Sequence, residues 1–251
     1  MLSVGSDRIE TERLQLCFEL EESTSASALL LASIDGARAQ FVREGEQLLD
    51  RAVKSARLMR ERIAAEVPEL TVVDGERLGA IPGVTAVDPT HVMIETASIG
   101  LSGYTADDWL RNERQLDVEL VDHRRIMPLV TFAHGEEEVD RFVRALRDLV
   151  DEHVDEDDNV AELPTAPQIR TEQAMSPREA FFAKTEDVKP SEAVGRVSAE
   201  WVTPYPPGIP AVAAGEVYTD AAVDYLQEVV AAGGFVEGTA DPALSKLRVV
   251  T

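Results

Sequence analysis

Apolar positions along this 251-residue chain recur with two different spacings, and the changes between them divide it. Residues 9–22, IETERLQLCFELEE, set Leu14, Leu16, Phe18 and Leu20 among mostly polar neighbours, the period of two that predicts a half-buried strand. The polar triplet Ser23-Thr24-Ser25 ends it. From Ser27, apolar residues fall at Leu30, Ile34, Ala37 and Phe41, then at Leu48, Leu49, Val53, Ala56, Met59 and Ile63, a helical spacing. So long a run exceeds an ordinary compact helix, which predicts a break near Gly45 or a long bent connector between domains.

After Pro68 short strands and helices alternate. LTVV (70–73), HVMIET (91–96), LDVELV (116–121) and IMPLVTF (126–132) read as strands. Between them Thr105-Ala-Asp-Asp108 predicts a capped helix start running to about Arg114. Residues 136–150 place Val139, Phe142, Val143, Leu146 and Leu149 on one stripe. Two β-α-β passes of this kind build a small sheet covered by helices, giving a compact α/β module over 68–152. The acidic, proline-bearing segment 153–167 then reads as a solvated linker.

Beyond it Ser176-Pro-Arg-Glu179 is a strong helix start, with an N-cap serine, proline at the first helical position and glutamate at the third. A strand-like GRVSAEWV (195–202) follows, then four prolines within seven positions, Pro204, Pro206, Pro207 and Pro210. Proline fixes φ and removes a donor, so this loop is stiff, with Tyr205 its large side chain and Gly208 its freely turning position. A helix opened by Thr219 to about Ala231 and short strands near 235 and 247 complete the chain.

Composition changes this picture in one respect. Apolar residues make up 44% and charged residues 28%, an ordinary globular balance, but 47 acidic against 24 basic residues leave a net charge of −23. That excludes a basic footprint for nucleic acid and suits a cationic ligand. Only four basic residues are lysines, Lys54, Lys184, Lys189 and Lys246, a composition that either a salt-filled cytoplasm or a GC-rich genome would favour. Cys17, the single cysteine, allows no internal disulfide and is expected in the core. No apolar run approaches the roughly 20 residues of a membrane span, and no basic-then-apolar leader opens the chain, so a cytosolic protein is expected.

Self-sufficient chemistry is hard to find. His91, His123, His134 and His153 lack metal-ligand spacing, and there is no nucleophile elbow, P-loop or GxGxxG. Gly100-Leu-Ser-Gly103 offers at most an anion-accepting turn.

Three stretches resemble a known family. STSASALLLASIDGAR (23–38) is similar to that family's STSPSYLLMASLDxAR. DPTHVMIETASIGLSGYTADDWL (88–110) with DVELVDHRRIMPLVTFAHGEEEVDRF (117–142) resembles its small domain. MSPREAFFAKTEDV (175–188), followed by GRVSAEWVTPYPPGIPAVAAGEV (195–217), is similar to its C-terminal domain. The family is the Orn/Lys/Arg decarboxylases of the aspartate-aminotransferase-like, fold type I, pyridoxal-phosphate superfamily. The resemblance implies an α/β fold made of the end of a large PLP-type domain with a long connecting helix (1–67), a small α/β domain (68–152), the acidic linker (153–167) and a separate α+β C-terminal decarboxylase domain (168–251).

For the site, the resemblance implies that Thr24 lies near the cofactor phosphate, with Ser23 and Ser25 beside it, although Ala26 and Ala28 stand where the family usually has Pro and Tyr. A plain N-cap for the following helix explains the same hydroxyls equally well. The Pro204–Pro210 loop is implied to wall the route by which substrate reaches the site, or an interface, with Tyr205 and Glu216 projecting from it. The family's cofactor lysine sits in a Ser-x-His-Lys segment, which none of the four lysines here matches; they read VKS, AKT, VKP and SKL. Decarboxylation needs the carbanion at Cα to be conjugated into the cofactor ring. The expected arrangement is therefore an oligomer in which a separately encoded N-terminal decarboxylase polypeptide brings the lysine and the pyridoxal phosphate acts on a basic amino acid, arginine being favoured by analogy with short agmatine-forming members. The rival expectations are a non-catalytic or regulatory module that binds decarboxylase subunits, and a fragment of a broken gene.

Overall fold

The computed structural model describes residues 8–22, 25, 27–153, 160, 169–205 and 208–251. The chain divides into two units, Met1–Leu48 and Leu49–Thr251.

In the first unit α1 (Thr11–Glu21) is a helix, where the alternating apolar pattern predicted a strand. Eight of its eleven residues are Glu, Gln, Arg or Leu, all strong helix formers, and none of the eleven is buried, so no sheet partner rewards the alternation. Cys17 is exposed on it rather than buried in a core. Helix α2 (Ala28–Glu66) runs unbroken past Gly45 for 39 residues. Gly45 does not break it, and its missing side chain makes room for the Phe41 ring, which a Cβ there would approach to 3.2 Å.

The second unit holds two apolar cores. The first gathers Ala56, Met59 and Ile63 of α2 with Val92, Ile94, Ile126 and the inner face of α5 (Glu136–His153), whose Phe142, Leu146 and Leu149 are the stripe read from the sequence. A four-stranded antiparallel sheet floors it. Its strands are β1 (Thr71–Val72), β2 (Ile94–Glu95), β3 (Leu120–Val121) and β4 (Arg125–Met127), in the order β1-β2-β4-β3 with Ile94 opposite Ile126. A short helix, α3 (Gly75–Gly79), follows β1, and α4 (Gly103–Arg114) joins β2 to β3, which are mutually parallel but separated by β4. This is a split β-α-β unit in place of two simple passes. Ser102, not Thr105, caps α4: its Oγ accepts from the Thr105 N–H at 3.0 Å.

Gly103 explains the GLSG motif. A Cβ there would stand 2.1 Å from the Asp122 carbonyl oxygen and 2.3 Å from that of Arg125, so only glycine lets α4 start against the β3–β4 turn. With Ser102 spent on the cap, this turn is built for packing and not for an anion.

The second core belongs to α6 (Pro177–Phe182), β5 (Thr185–Val188), α7 (Pro190–Ala193), β6 (Thr203–Tyr205), α8 (Asp220–Ala231), β7 (Phe235–Glu237) and β8 (Leu247–Val250). Val202, Val212, Tyr218, Leu226, Val236 and Val249 fill it. Both expected caps are present: Ser176 and Glu179 form a reciprocal capping box, and the Thr219 Oγ1 accepts from the Ala222 N–H at 3.2 Å. GRVSAEWV is no named strand but an extended segment touching Val217, Val249 and Val212 through single bridges. The first part of the proline loop is a strand, β6 pairing with β7 and Tyr205 opposite Phe235. A two-stranded ribbon tolerates Pro204 because its donorless nitrogen can face outward. Pro206 and Pro207 lie outside the described residues.

Candidate functional site

Glu216 is set in place by its predecessor. Gly215 holds φ +93 with its Cα packed on residue 175, where a Cβ would meet the Met175 carbonyl oxygen at 2.3 Å. The chain then hydrogen-bonds residues 172–175 on one side, the Ala174 N–H donating to the Gly215 carbonyl at 2.8 Å, and the Ser198 N–H donates to the Glu216 carbonyl at 2.7 Å on the other. The half-buried carboxylate accepts from the Thr171 Oγ1–H at 2.6 Å and the Ala213 N–H at 2.8 Å, both on one oxygen, Oε2. It faces an open cleft of about 1010 Å³ that is also lined by Glu172, Ile209, Pro210 and Tyr225. The end of the proline loop therefore does border a cavity beside Glu216. Tyr205 does not line it, but stands 51% exposed on the β6–β7 ribbon.

A second polar group escaped the sequence reading. Tyr104 of α4 is pushed up to about 12 by burial, then by Tyr225 and Asp122, and burial likewise raises the Tyr225 phenol. Burial lowers His123 despite Asp122 beside it, with Arg124 and Arg125 adding to the fall. Of these three groups only Tyr225 lines the cleft. The sequence reading named none of these burial effects, which depend on the fold.

Pyridoxal phosphate needs an anion site and an amine. Ser23 and Thr24 lie outside the described residues, and Ser25 is exposed just ahead of α2. At the start of α2 the first turn carries no carboxylate to repel an anion, and the Ser27 Oγ caps the helix, accepting from the Leu30 N–H at 3.4 Å. The amine is another matter. All four lysines are exposed, and Lys54 pairs with Asp50 at 2.6 Å. A Schiff-base lysine is activated by desolvation or a neighbouring cation, which none of these environments provides. The described residues set no carboxylate against a phosphate at the start of α2 and offer the aldehyde end of the cofactor no desolvated amine.

The histidines serve local structure. The His134 Nδ1 accepts from the Thr131 N–H at 3.0 Å, His91 pairs with Asp88, and His153 stacks edge-on against Trp109. Among the described residues no group of His, Cys, Asp and Glu is placed to hold a metal, and no helix is long and apolar enough to cross a membrane.

Residues 161–235 match the family described as Orn/Lys/Arg decarboxylase, C-terminal domain. Over the whole chain, 37% of residues are identical to the arginine decarboxylase of Halalkalibacterium halodurans and 34% to that of Bacillus subtilis. The chain belongs to the Orn/Lys/Arg decarboxylase family, as its C-terminal part. It spans about half the length of these relatives, 50% and 51% respectively. The family's mixed α/β fold is also evident in solved structures. The constitutive lysine decarboxylase of E. coli superposes with a TM-score of 0.71 at 19% identity, covering 97% of this chain and 46% of that one. The lysine decarboxylase of Francisella novicida gives 0.74 at 17%, with the same coverage.

Proposed function

We propose that this chain is the C-terminal component of a pyridoxal-phosphate-dependent decarboxylase of a basic amino acid, arginine being favoured, and that it works with an N-terminal decarboxylase polypeptide that brings the Schiff-base lysine. What carries the reading is the end-to-end similarity to arginine decarboxylases, 37% identity across the full chain but half of the relative. The division into the end of a large domain, a small domain and a C-terminal domain is part of the same proposal, as is assembly into a homo- or hetero-oligomer.

The cofactor, when bound, supplies the electron sink that makes loss of the α-carboxylate feasible. This chain's contribution is placement. Thr24, with Ser23 and Ser25, is assigned to the phosphate, where the helix dipole of α2 favours an anion. Glu216 is assigned to substrate access, and Tyr205, exposed on the β6–β7 ribbon outside the cleft, to the interface alternative. The Glu216 carboxylate offers a charge-assisted acceptor to the distal cation of the substrate, and a chain of net charge −23 raises the local concentration of such cations.

Co-expression of the chain with an N-terminal decarboxylase polypeptide tests the reading: the complex should release CO2 from arginine, and a complex loaded with cofactor yet inert toward arginine, lysine and ornithine would overturn it. In the active complex Glu216→Gln keeps the hydrogen bonds to Thr171 and Ala213 possible while removing the charge, so KM for arginine should rise roughly tenfold with kcat little changed. Unchanged kinetics would remove Glu216 from the site.

A further inference from the structure

Helix α2 carries one apolar stripe along its whole length. At about 100° per residue, positions 30, 34, 37, 41, 45, 48, 52, 56, 59 and 63 all fall within an arc of about 100°. From Leu48 onward the stripe is buried: Leu48, Ala52, Ala56, Met59 and Ile63 are core residues. Its earlier part, in the same angular register, is not. Leu30, Ile34 and Phe41 are 40 to 65% exposed, with Ala37 between them. Leu31 and Val42, exposed as well, widen the apolar surface on one flank and Leu29 on the other.

We infer that the Leu30–Ile34–Phe41 stripe of α2 is the docking surface for the N-terminal decarboxylase polypeptide. The inference rests on the functional reading above and adds to it the contact residues. Three observations choose this occupant. The stripe continues, without change of register, one that already forms a core. The relatives that match the chain from end to end have as much polypeptide again to cover it. And the exposed apolar surface is too broad for a second copy of the helix, because a two-helix seam buries only a narrow a/d stripe and would leave Leu31 and Val42 in water. A large body that wraps the helix from more than one side satisfies all of them. Helix α1, with Leu16 and Phe18 exposed and none of its residues buried, is equally unable to account for itself in isolation.

The test uses the full chain co-expressed with the N-terminal half of the Halalkalibacterium halodurans arginine decarboxylase as the probe. Ile34→Glu with Phe41→Glu should weaken capture on the order of 100-fold or more. Arg43→Ala, about 170° around the helix from the stripe, should leave capture unchanged. Far-UV circular dichroism of the isolated double variant should match the parent, and Ile34→Glu alone, at a 65% exposed position, should weaken capture without changing the melting temperature. Capture of the double variant at parental affinity overturns the docking surface while leaving the decarboxylase reading intact, since the complex would still form. Failure of the parent chain to be captured counts against the partner reading itself and removes the surface with it. Sedimentation of the isolated chain supplies the remaining outcome: a dimer that the double substitution dissociates and the probe does not displace would make a second copy the occupant and overturn the assignment.

Discussion

Glu200→Ala should unfold the second core under conditions where the parent is stable. Glu200 is only 7% exposed, and its two carboxylate oxygens gather donors from separate segments. The Ala240 N–H donates to Oε1 at 2.7 Å, and the Arg248 N–H and the Thr239 hydroxyl donate to Oε2 at 3.0 and 3.3 Å. The side chain thus ties the segment before the proline loop to the turn after β7 and to strand β8. Truncation removes the acceptor from two part-buried backbone N–H groups, each costing about 1–3 kcal/mol, and a total of about 3 kcal/mol is a large share of a domain's stability. Glu200→Gln retains one acceptor oxygen and should lose less than half as much. Urea titration followed by tryptophan fluorescence reads both, since Trp201 adjoins the site. A loss below about 1 kcal/mol for the alanine variant would mean that water replaces the carboxylate.

The second large effect is at Gly103. With carbonyl oxygens 2.1 and 2.3 Å from the position of a Cβ, Gly103→Ala must push α4 off the β3–β4 turn, at a cost of about 3 kcal/mol or more. Gly36→Ala is the matched control. It sits inside α2 with nothing within 4 Å of a Cβ, so alanine should stabilise by up to about 1 kcal/mol. The opposite signs of two Gly→Ala changes, measured by thermal unfolding, separate close packing from helix propensity. Equal small effects would show that the turn yields.

How much of this was legible in the chain depends on where the information lay. Helices α5 and α8 and the caps at Ser176 and Thr219 follow from local periodicity and side-chain chemistry, and they are where the sequence placed them. Helix α1 misled because alternation is a signal only when a neighbouring strand buries one face, and nothing buries this one. The cap of α4 was misplaced because Ser102 and Thr105 are both good N-caps three residues apart, and the choice is made by how closely Gly103 must approach the β3–β4 turn.

The site divides in the same way. Glu216 and the end of the proline loop border a cleft, whereas Tyr205, named with them from the resemblance, does not. Glu200, buried in a segment that reads as an ordinary strand, was not legible, because its partners are distant in sequence. None of the four lysines matches the family's cofactor segment, and all four are exposed.

Borohydride reduction in the presence of pyridoxal phosphate tests the central claim most directly. With the chain co-expressed with its N-terminal polypeptide, peptide mass spectrometry should find one pyridoxyl group per complex on a lysine of that polypeptide, and no stoichiometric label on Lys54, Lys184, Lys189 or Lys246. Full labelling of one of those four in the isolated chain, accompanied by release of CO2 from arginine, would contradict the account.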